Sequence, residues 1–255
     1  MGGKHGINAD GVVWHFHPVS MLALFIQADQ LINIDLFVEK YINTHSTFNV
    51  GTPAFSQVSK NNLRSVIAQV NRFYKGKNYE ANLYELAYML ATARHEAWHF
   101  LSAEYFSAKP EIGNLDYFNK YDPVLAETPE HRVRAITNEN TEKGDGFKYR
   151  GRGLVHLTWK VNYRKAERNF NVNFVESPEK AAEYQHAVPI MIWGMKAGIF
   201  TGHKLADYIN ASGVDYVHAR RIINGTDQQE LIASYAKKFE AILRETSVAK
   251  ETFNP

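Results

Sequence analysis

The chain has 255 residues, with 45% hydrophobic and 22% charged side chains, a formal net charge of +2 and no cysteine. This is the composition of an ordinary globular protein able to bury one sizeable core, and disulfide stapling and thiolate metal sites are excluded. The charge is too mild to imply nucleic acid, although a weakly basic surface suits an acidic polymer.

Residues 1–12, with Gly2, Gly3, Gly6 and Gly11, read as a flexible lead. The apolar run from Val19 to Ile26 is too short to span a bilayer and lacks the basic flank of a secretory signal, so stable membrane insertion is not expected. The expectation is synthesis in the cytoplasm, with any export handled by another machine. Residues 19–43 carry Leu22, Phe25, Ile26, Leu31, Ile34, Phe37, Val38 and Ile42 at helical intervals. The periodicity stops between Thr44 and Ser56, where Gly51 and Pro53 mark a loop and a boundary at residue 52. Two units are therefore expected: a short N-terminal helical extension over 1–52 and a main domain over 53–255.

The spacing predicts a helix from Ser59 to Tyr74, capped by Ser59 or Asn61, and a second one after the Lys75-Gly76-Lys77 break. In that second helix Leu83, Leu86, Ala87, Leu90 and Ala91 form an apolar stripe that stops at Arg94, which predicts a helix opening into a polar cleft near Glu96. Residues 107–148, punctuated by Pro110, Gly113, Pro123, Pro129, Gly144 and Gly146, read as loop. A brief turn at Leu154–Trp159 precedes helical patterns at Asn162–Asn169, Ala187–Ile199, Lys204–Ile209, Val214–Ile223 and Gln229–Leu243. No alternating strand run of useful length occurs, so the fold class is mainly α.

His95-Glu96-Ala97-Trp98-His99 spells H-E-x-x-H, which on a helix can place two imidazoles on one face to bind Zn²⁺ with the glutamate as general base. The extended signature needs Gly and His where Ser102 and Tyr105 stand, and Glu111 or Glu127 would have to supply the third ligand. A zinc metalloprotease is accordingly the runner-up from a different class, and a catalytically inert sugar-binding module is a third possibility. The Gly151 and Gly153 pair lacks the pattern of a phosphate loop and serves backbone conformation.

The segments Tyr88 to Glu96, Phe147-Lys148-Tyr149-Arg150-Gly151-Arg152-Gly153, Leu157-Thr158 with Trp159, Asn162-Tyr163, and Arg221-Ile222-Ile223-Asn224-Gly225 occur in that order, preceded by Phe55-Ser56-Gln57-Val58. Together they resemble the glycoside hydrolase family 19 superfamily, the chitinases and the related phage and bacterial peptidoglycan hydrolases, over about residues 55–245. The resemblance implies a lysozyme-like, mainly helical domain and a metal-free, inverting glycosidase without cofactor. Glu96 would be the acid and Glu104 the second carboxylate, with Thr158 holding the water. Such chemistry needs a proton donor and a base on opposite faces of the sugar, and apolar neighbours such as Trp98 and Phe100 would keep Glu96 protonated. Glu111 and Asp116 are alternative second carboxylates in the same region.

The resemblance extends the substrate surface to Tyr105, Tyr149, Arg152, His156, Trp159, Asn162, Arg221 and Asn224. Arg150 and Arg152 serve equally well as structural pins. His156 stands where the family usually has Gln, Ala97 where it has Thr or Ser, and Trp98-His99 where a Gly pair is common. The phage-type spelling from Gly153 to Tyr163 favours peptidoglycan over chitin. Trp14-His15-Phe16-His17-Pro18 is similar to an element ahead of lysozyme-like domains in some phage and type VI secretion proteins. It implies a delivery component or an immunity protein as partner, and action on the wall in the periplasm after release or injection.

Overall fold

The computed structural model describes residues 30–75 and 80–253. The expected lead over 1–12, the Trp14–Pro18 element and the first part of the 19–43 helix lie outside these residues. Among the described residues no helix is long and apolar enough to cross a membrane.

The fold is mainly helical, as expected, and is built around one buried helix. Within the predicted 19–43 helix the described residues 30–33 are not helical, and helix α1 runs over Ile34–Thr44. Asn33 caps it by accepting from the Leu36 amide, and Ile32 instead bridges to Ser247. Helix α2 (Gln57–Lys75) is capped by Ser56, whose Oγ accepts from the Ser59 amide. Ser59, the expected cap, is buried and accepts from the Tyr105 amide at 3.0 Å.

Helix α3 (Leu83–Glu96) is capped by Asn82, which accepts from the amides of Tyr84 and Glu85. Every residue from Leu86 to Arg94 is buried, so this helix runs through the core rather than over it. The stripe stops at Arg94, as read, but that residue does not begin the polar end of the helix. Arg94 is instead 3% exposed and enclosed by aromatic rings.

Between residues 107 and 148, read as loop, stand three short helices: α4 (Leu115–Phe118), α5 (Pro129–Thr137) and α6 (Asp145–Lys148). Pro129 begins α5 rather than breaking a pattern, since a proline fits the first helical turn and Thr128 caps it. Asp122 ties this region together: its carboxylate accepts from the amides of Val124, Leu125 and Gly144 at 2.9, 2.9 and 2.7 Å. Burial would push the Asp122 carboxyl up, but these backbone donors outweigh it and hold it below the ordinary aspartate value.

A carboxyl depressed in the folded state stabilises above its unfolded pKa of about 3.9, and that stability is lost as pH falls through the folded value. Asp122→Asn is expected to cost about 1–3 kcal/mol at neutral pH, by leaving amides without a charged acceptor. In urea titrations the gap from the native chain should shrink below about pH 4; a gap independent of pH would refute this account.

Helices α7 (Lys160–Phe170) and α8 (Tyr184–Ala197) follow. The segments read as Lys204–Ile209 and Val214–Ile223 resolve into a one-turn helix α9 (Leu205–Tyr208), a two-residue hairpin and a 3₁₀ turn at His218–Ile222. The hairpin pairs β1 (Ile209–Asn210) with β2 (Gly213–Val214), a register too short to leave an alternating pattern in the sequence. Helix α10 (Gln229–Thr246) lies along α3 in the most extensive helix packing of the molecule.

The boundary expected at residue 52 does not separate the described part of the extension from the domain. Ile32, Phe37, Tyr41 and Phe48 share one core cluster with Leu63, Leu90 and Phe239, and Tyr41 stacks on Phe239 with ring centroids 5.5 Å apart. Each such side chain contributes about 1.5–3 kcal/mol by burial, against a total stability of about 5–15 kcal/mol. Deletion of residues 1–50 is therefore expected to give a chain with no cooperative melting transition. A soluble, sharply melting product would show that the segment is separable after all.

Candidate functional site

Glu96 is the last residue of α3, where the helix leaves the core. Its Oε1 accepts from Nη1 of Arg220, which is 2% exposed and whose Nε donates to the Asp227 carbonyl at 2.9 Å. The carboxylate thus meets a buried guanidinium, not the apolar pocket expected from Trp98 and Phe100. Trp98 packs on Tyr105 with centroids 4.1 Å apart, and Phe100 is exposed. Arg220 is a residue that the motifs do not single out. The two adjacent arginines look alike in sequence, and only the 3₁₀ turn sends one inward and the other to solvent.

The helix ends at Glu96, so the two imidazoles of H-E-x-x-H do not share one helical face. His95 lines a cavity with Asn49–Pro53, whereas His99 lines another with Phe100 and Lys109. His99 Nδ1 lies 2.6 Å from Ser102 Oγ, and its backbone pairs with Glu104 in an isolated bridge. Burial, opposed by the charge of Glu96, pushes the His95 imidazole down towards its neutral form. The zinc reading loses its geometric premise.

Two cavities adjoin near Glu96 and share His156 as a common wall. The larger, about 580 Å³, is lined by His156, Thr158, Trp159, Asn162, Arg221 and Asn224 together with Arg134 and Phe200. The smaller, about 220 Å³, is lined by Ala97 to Phe100, Lys109 to Ile112 and Tyr117. Glu96 lines neither: Ala97, the next residue, lines the smaller, and Arg221, which follows its partner Arg220 in the chain, lines the larger.

Six of the expected substrate and catalytic residues thus line one cavity. Their placement depends on a strained turn: His156 at φ +49° and Trp159 at φ +76° occupy the left-handed region, unusual for such side chains. This turn presents Thr158, whose hydroxyl donates to the His156 carbonyl at 2.7 Å, and Asn162, whose amide donates to the Thr158 carbonyl at 2.9 Å.

Tyr149, Arg152 and Tyr105 are not brought to these cavities. Tyr149 is 1% exposed and donates to the Val175 carbonyl, so it belongs to the core. Arg152 donates from Nη1 to the carbonyl of Lys148 and to the Tyr163 hydroxyl, both at 2.8 Å, and pins the turn from beneath. Tyr105 closes over the Arg94 guanidinium. Gly151 has no room for a side chain, since a Cβ there would lie 2.9 Å from His156 Cβ and 3.1 Å from Glu111 Oε2.

Glu104 is nearly sealed, and its Oε1 accepts from Lys109 Nζ at 2.8 Å. Burial would raise its carboxyl; hydrogen bonds from Lys109 and Ser102 and the Lys109 charge prevail and hold it below the ordinary glutamate value. Glu111 lies in the wall of the smaller cavity, where Oε1 accepts from the Tyr117 hydroxyl at 3.1 Å and Oε2 from the Gly151 amide at 3.4 Å.

No protein-family model matches the chain. A curated protein of Haemophilus influenzae, named "Glycosyl hydrolase family 19 domain-containing protein", is 29% identical over 162 residues, 58% of this chain and 76% of that one. Among solved structures, chitinase C of Streptomyces griseus HUT6037 is similar with a TM-score of 0.52 and 17% identity, covering 86% of this chain and 95% of that one. A bacterial family 19 chitinase is similar with a TM-score of 0.51 and 18% identity, covering 88% and 98%. The chain is thus similar in sequence to a glycosyl hydrolase family 19 domain protein and shares the helical fold of family 19 chitinases.

Proposed function

We propose that this protein hydrolyses β-1,4 glycosidic bonds of peptidoglycan by acid/base chemistry, with Glu96 as the proton donor. The observation that carries the reading is the position of Glu96: a carboxyl at the end of a buried helix, held by the buried Arg220, with the next residue, Ala97, lining a cavity that shares His156 with a larger one. Family relationship supplies the reaction class, and inversion requires a second carboxylate with room for a water between it and the sugar. Glu104, held ionised by Lys109, suits a base that must accept a proton from that water. Thr158 offers a hydroxyl on a fixed turn in the larger cavity, and Asn162, Asn224 and Arg221 offer polar groups there to acetamido and hydroxyl substituents.

A second assignment of the base rests on one observation: Glu111 lines the smaller cavity directly, while the Glu104 carboxylate lies behind Lys109. Mass spectrometry of purified wall and of chitin digested by the native chain, Glu104→Gln and Glu111→Gln tests both points. Muropeptides with a reducing sugar, and their loss in Glu104→Gln, are expected. Release of chitooligosaccharides alone would move the substrate to chitin, and loss in Glu111→Gln with Glu104→Gln active would move the base. In keeping with the wall as substrate, the site of action would be the periplasm, reached through a phage or secretion partner and countered by an immunity protein.

A further inference from the structure

A third cavity, of about 310 Å³, lies on the other side of Trp98 from the cleft, which shares that residue as a wall. The loop Asn49–Pro53, Arg94, His95, Tyr105 and Tyr235 complete it. Its central feature is a cation with no counter-charge. The Arg94 guanidinium is 3% exposed, and among the described residues no carboxylate pairs with it. It lies 4.6, 5.0 and 4.3 Å from the ring centroids of Phe48, Tyr105 and Tyr235. Its Nε donates to the Tyr41 hydroxyl at 3.0 Å, and its Nη2 is buried without a partner.

The surroundings reinforce the charge instead of cancelling it. Tyr41, whose hydroxyl oxygen accepts from Arg94 Nε, is left to donate to His45 Nδ1 at 3.1 Å, and His45 Nε2 then donates to the Pro53 carbonyl at 3.0 Å. This relay requires a neutral His45, in accord with burial and the Arg94 charge pushing its pKa down. Lys238, which reaches the Thr47 carbonyl, is pushed down by burial and by the same guanidinium. The nearby carboxylates, Glu96 and Asp227, act on His95, and Glu96 is held by Arg220. Buried cations are ordinarily paired, so an unpaired one on a cavity wall calls for an anion. A planar guanidinium among aromatic walls suits a carboxylate carried on a short apolar stem.

We propose that the Arg94 cavity is a subsite for a carboxylate of the substrate, the acidic end of the lactyl-peptide substituents that peptidoglycan carries and chitin lacks. The inference rests on the peptidoglycan reading and sharpens it. Arg94 stands two residues before Glu96 on the same helix, so a glycan strand seated in the cleft can send a substituent past Trp98 into the cavity. The loop Asn49–Pro53 would yield to admit it, as the exposed Val50 at its tip permits.

The test compares binding of N-acetylmuramoyl-L-alanyl-D-isoglutamine and its neutral methyl ester to the full chain by calorimetry. The acid is expected to bind at least about tenfold more tightly than the ester, the scale of one lost charged hydrogen-bonded contact. Arg94→Gln should abolish that preference and Arg94→Lys should retain part of it. Equal affinity of the native chain for acid and ester, a result that needs no variant to fold, would overturn the proposal. So would a preference that survives in a folded Arg94→Gln. Muropeptide release without discrimination between acid and ester would remove the subsite and leave the hydrolase. Acid-selective binding without muropeptide release would leave the subsite and remove the peptidoglycan hydrolase.

Discussion

Glu96→Gln is expected to lower kcat on purified wall by about 10²–10⁴-fold with little change in KM, the scale associated with a positioned proton donor. The amide keeps the shape of the side chain and can still accept from Arg220, so the packing at the end of α3 survives. What it loses is a proton to give to the leaving oxygen. Turnover should therefore fall while binding of the glycan, made along the wall of His156, Thr158, Trp159 and Asn162, remains. Undiminished lysis by Glu96→Gln would place the reaction at another carboxylate.

Arg220→Met is expected to damage both stability and activity. Arg220 is 2% exposed and donates to the largely covered Glu96 carboxyl, so removing it leaves that buried acceptor without its donor, a change that costs about 1–3 kcal/mol. For a domain of this size each kcal/mol corresponds to about 2–4 °C in Tm. In the double variant Glu96→Gln/Arg220→Met the two changes remove one shared contact, so its stability loss should be smaller than the sum of the two single losses. Strict additivity in thermal or urea unfolding would show that the pair is not coupled. The same cycle on kcat separates a positioning role from a structural one: once Glu96 cannot donate, the loss of Arg220 should matter little to turnover.

The sequence carried the helices whose periodicity arises from one buried face. Helices α2, α7, α8 and α10 fall close to their apolar patterns, because a stripe at 3.6-residue spacing records which side of a helix meets the core. Short elements left no such record. The hairpin at Ile209–Val214 and the helices α4 and α6 span too few residues for a period, and they are held by caps and by the Asp122 carboxylate. That the described residues 30–52 pack into the main core could not be read from the chain, because a loop between two helices looks the same whether they belong to one core or two.

At the site, the order of the motifs and the place of Glu96 at the end of α3 were readable from the chain alone. Residue type and helical spacing are local properties. Several decisions belonged to the tertiary structure. It chose Arg220 over Arg221 as the partner of Glu96, put Tyr149 and Arg152 beneath the turn they support, and set His95 and His99 on separate cavities. It also enclosed Arg94, which in sequence reads as the polar end of an amphipathic helix, in aromatic rings contributed by residues 48, 105 and 235. The physical reason is common to all of these. The sequence states which groups carry charge and which are apolar, but how a charge is paired depends on residues brought from distant parts of the chain.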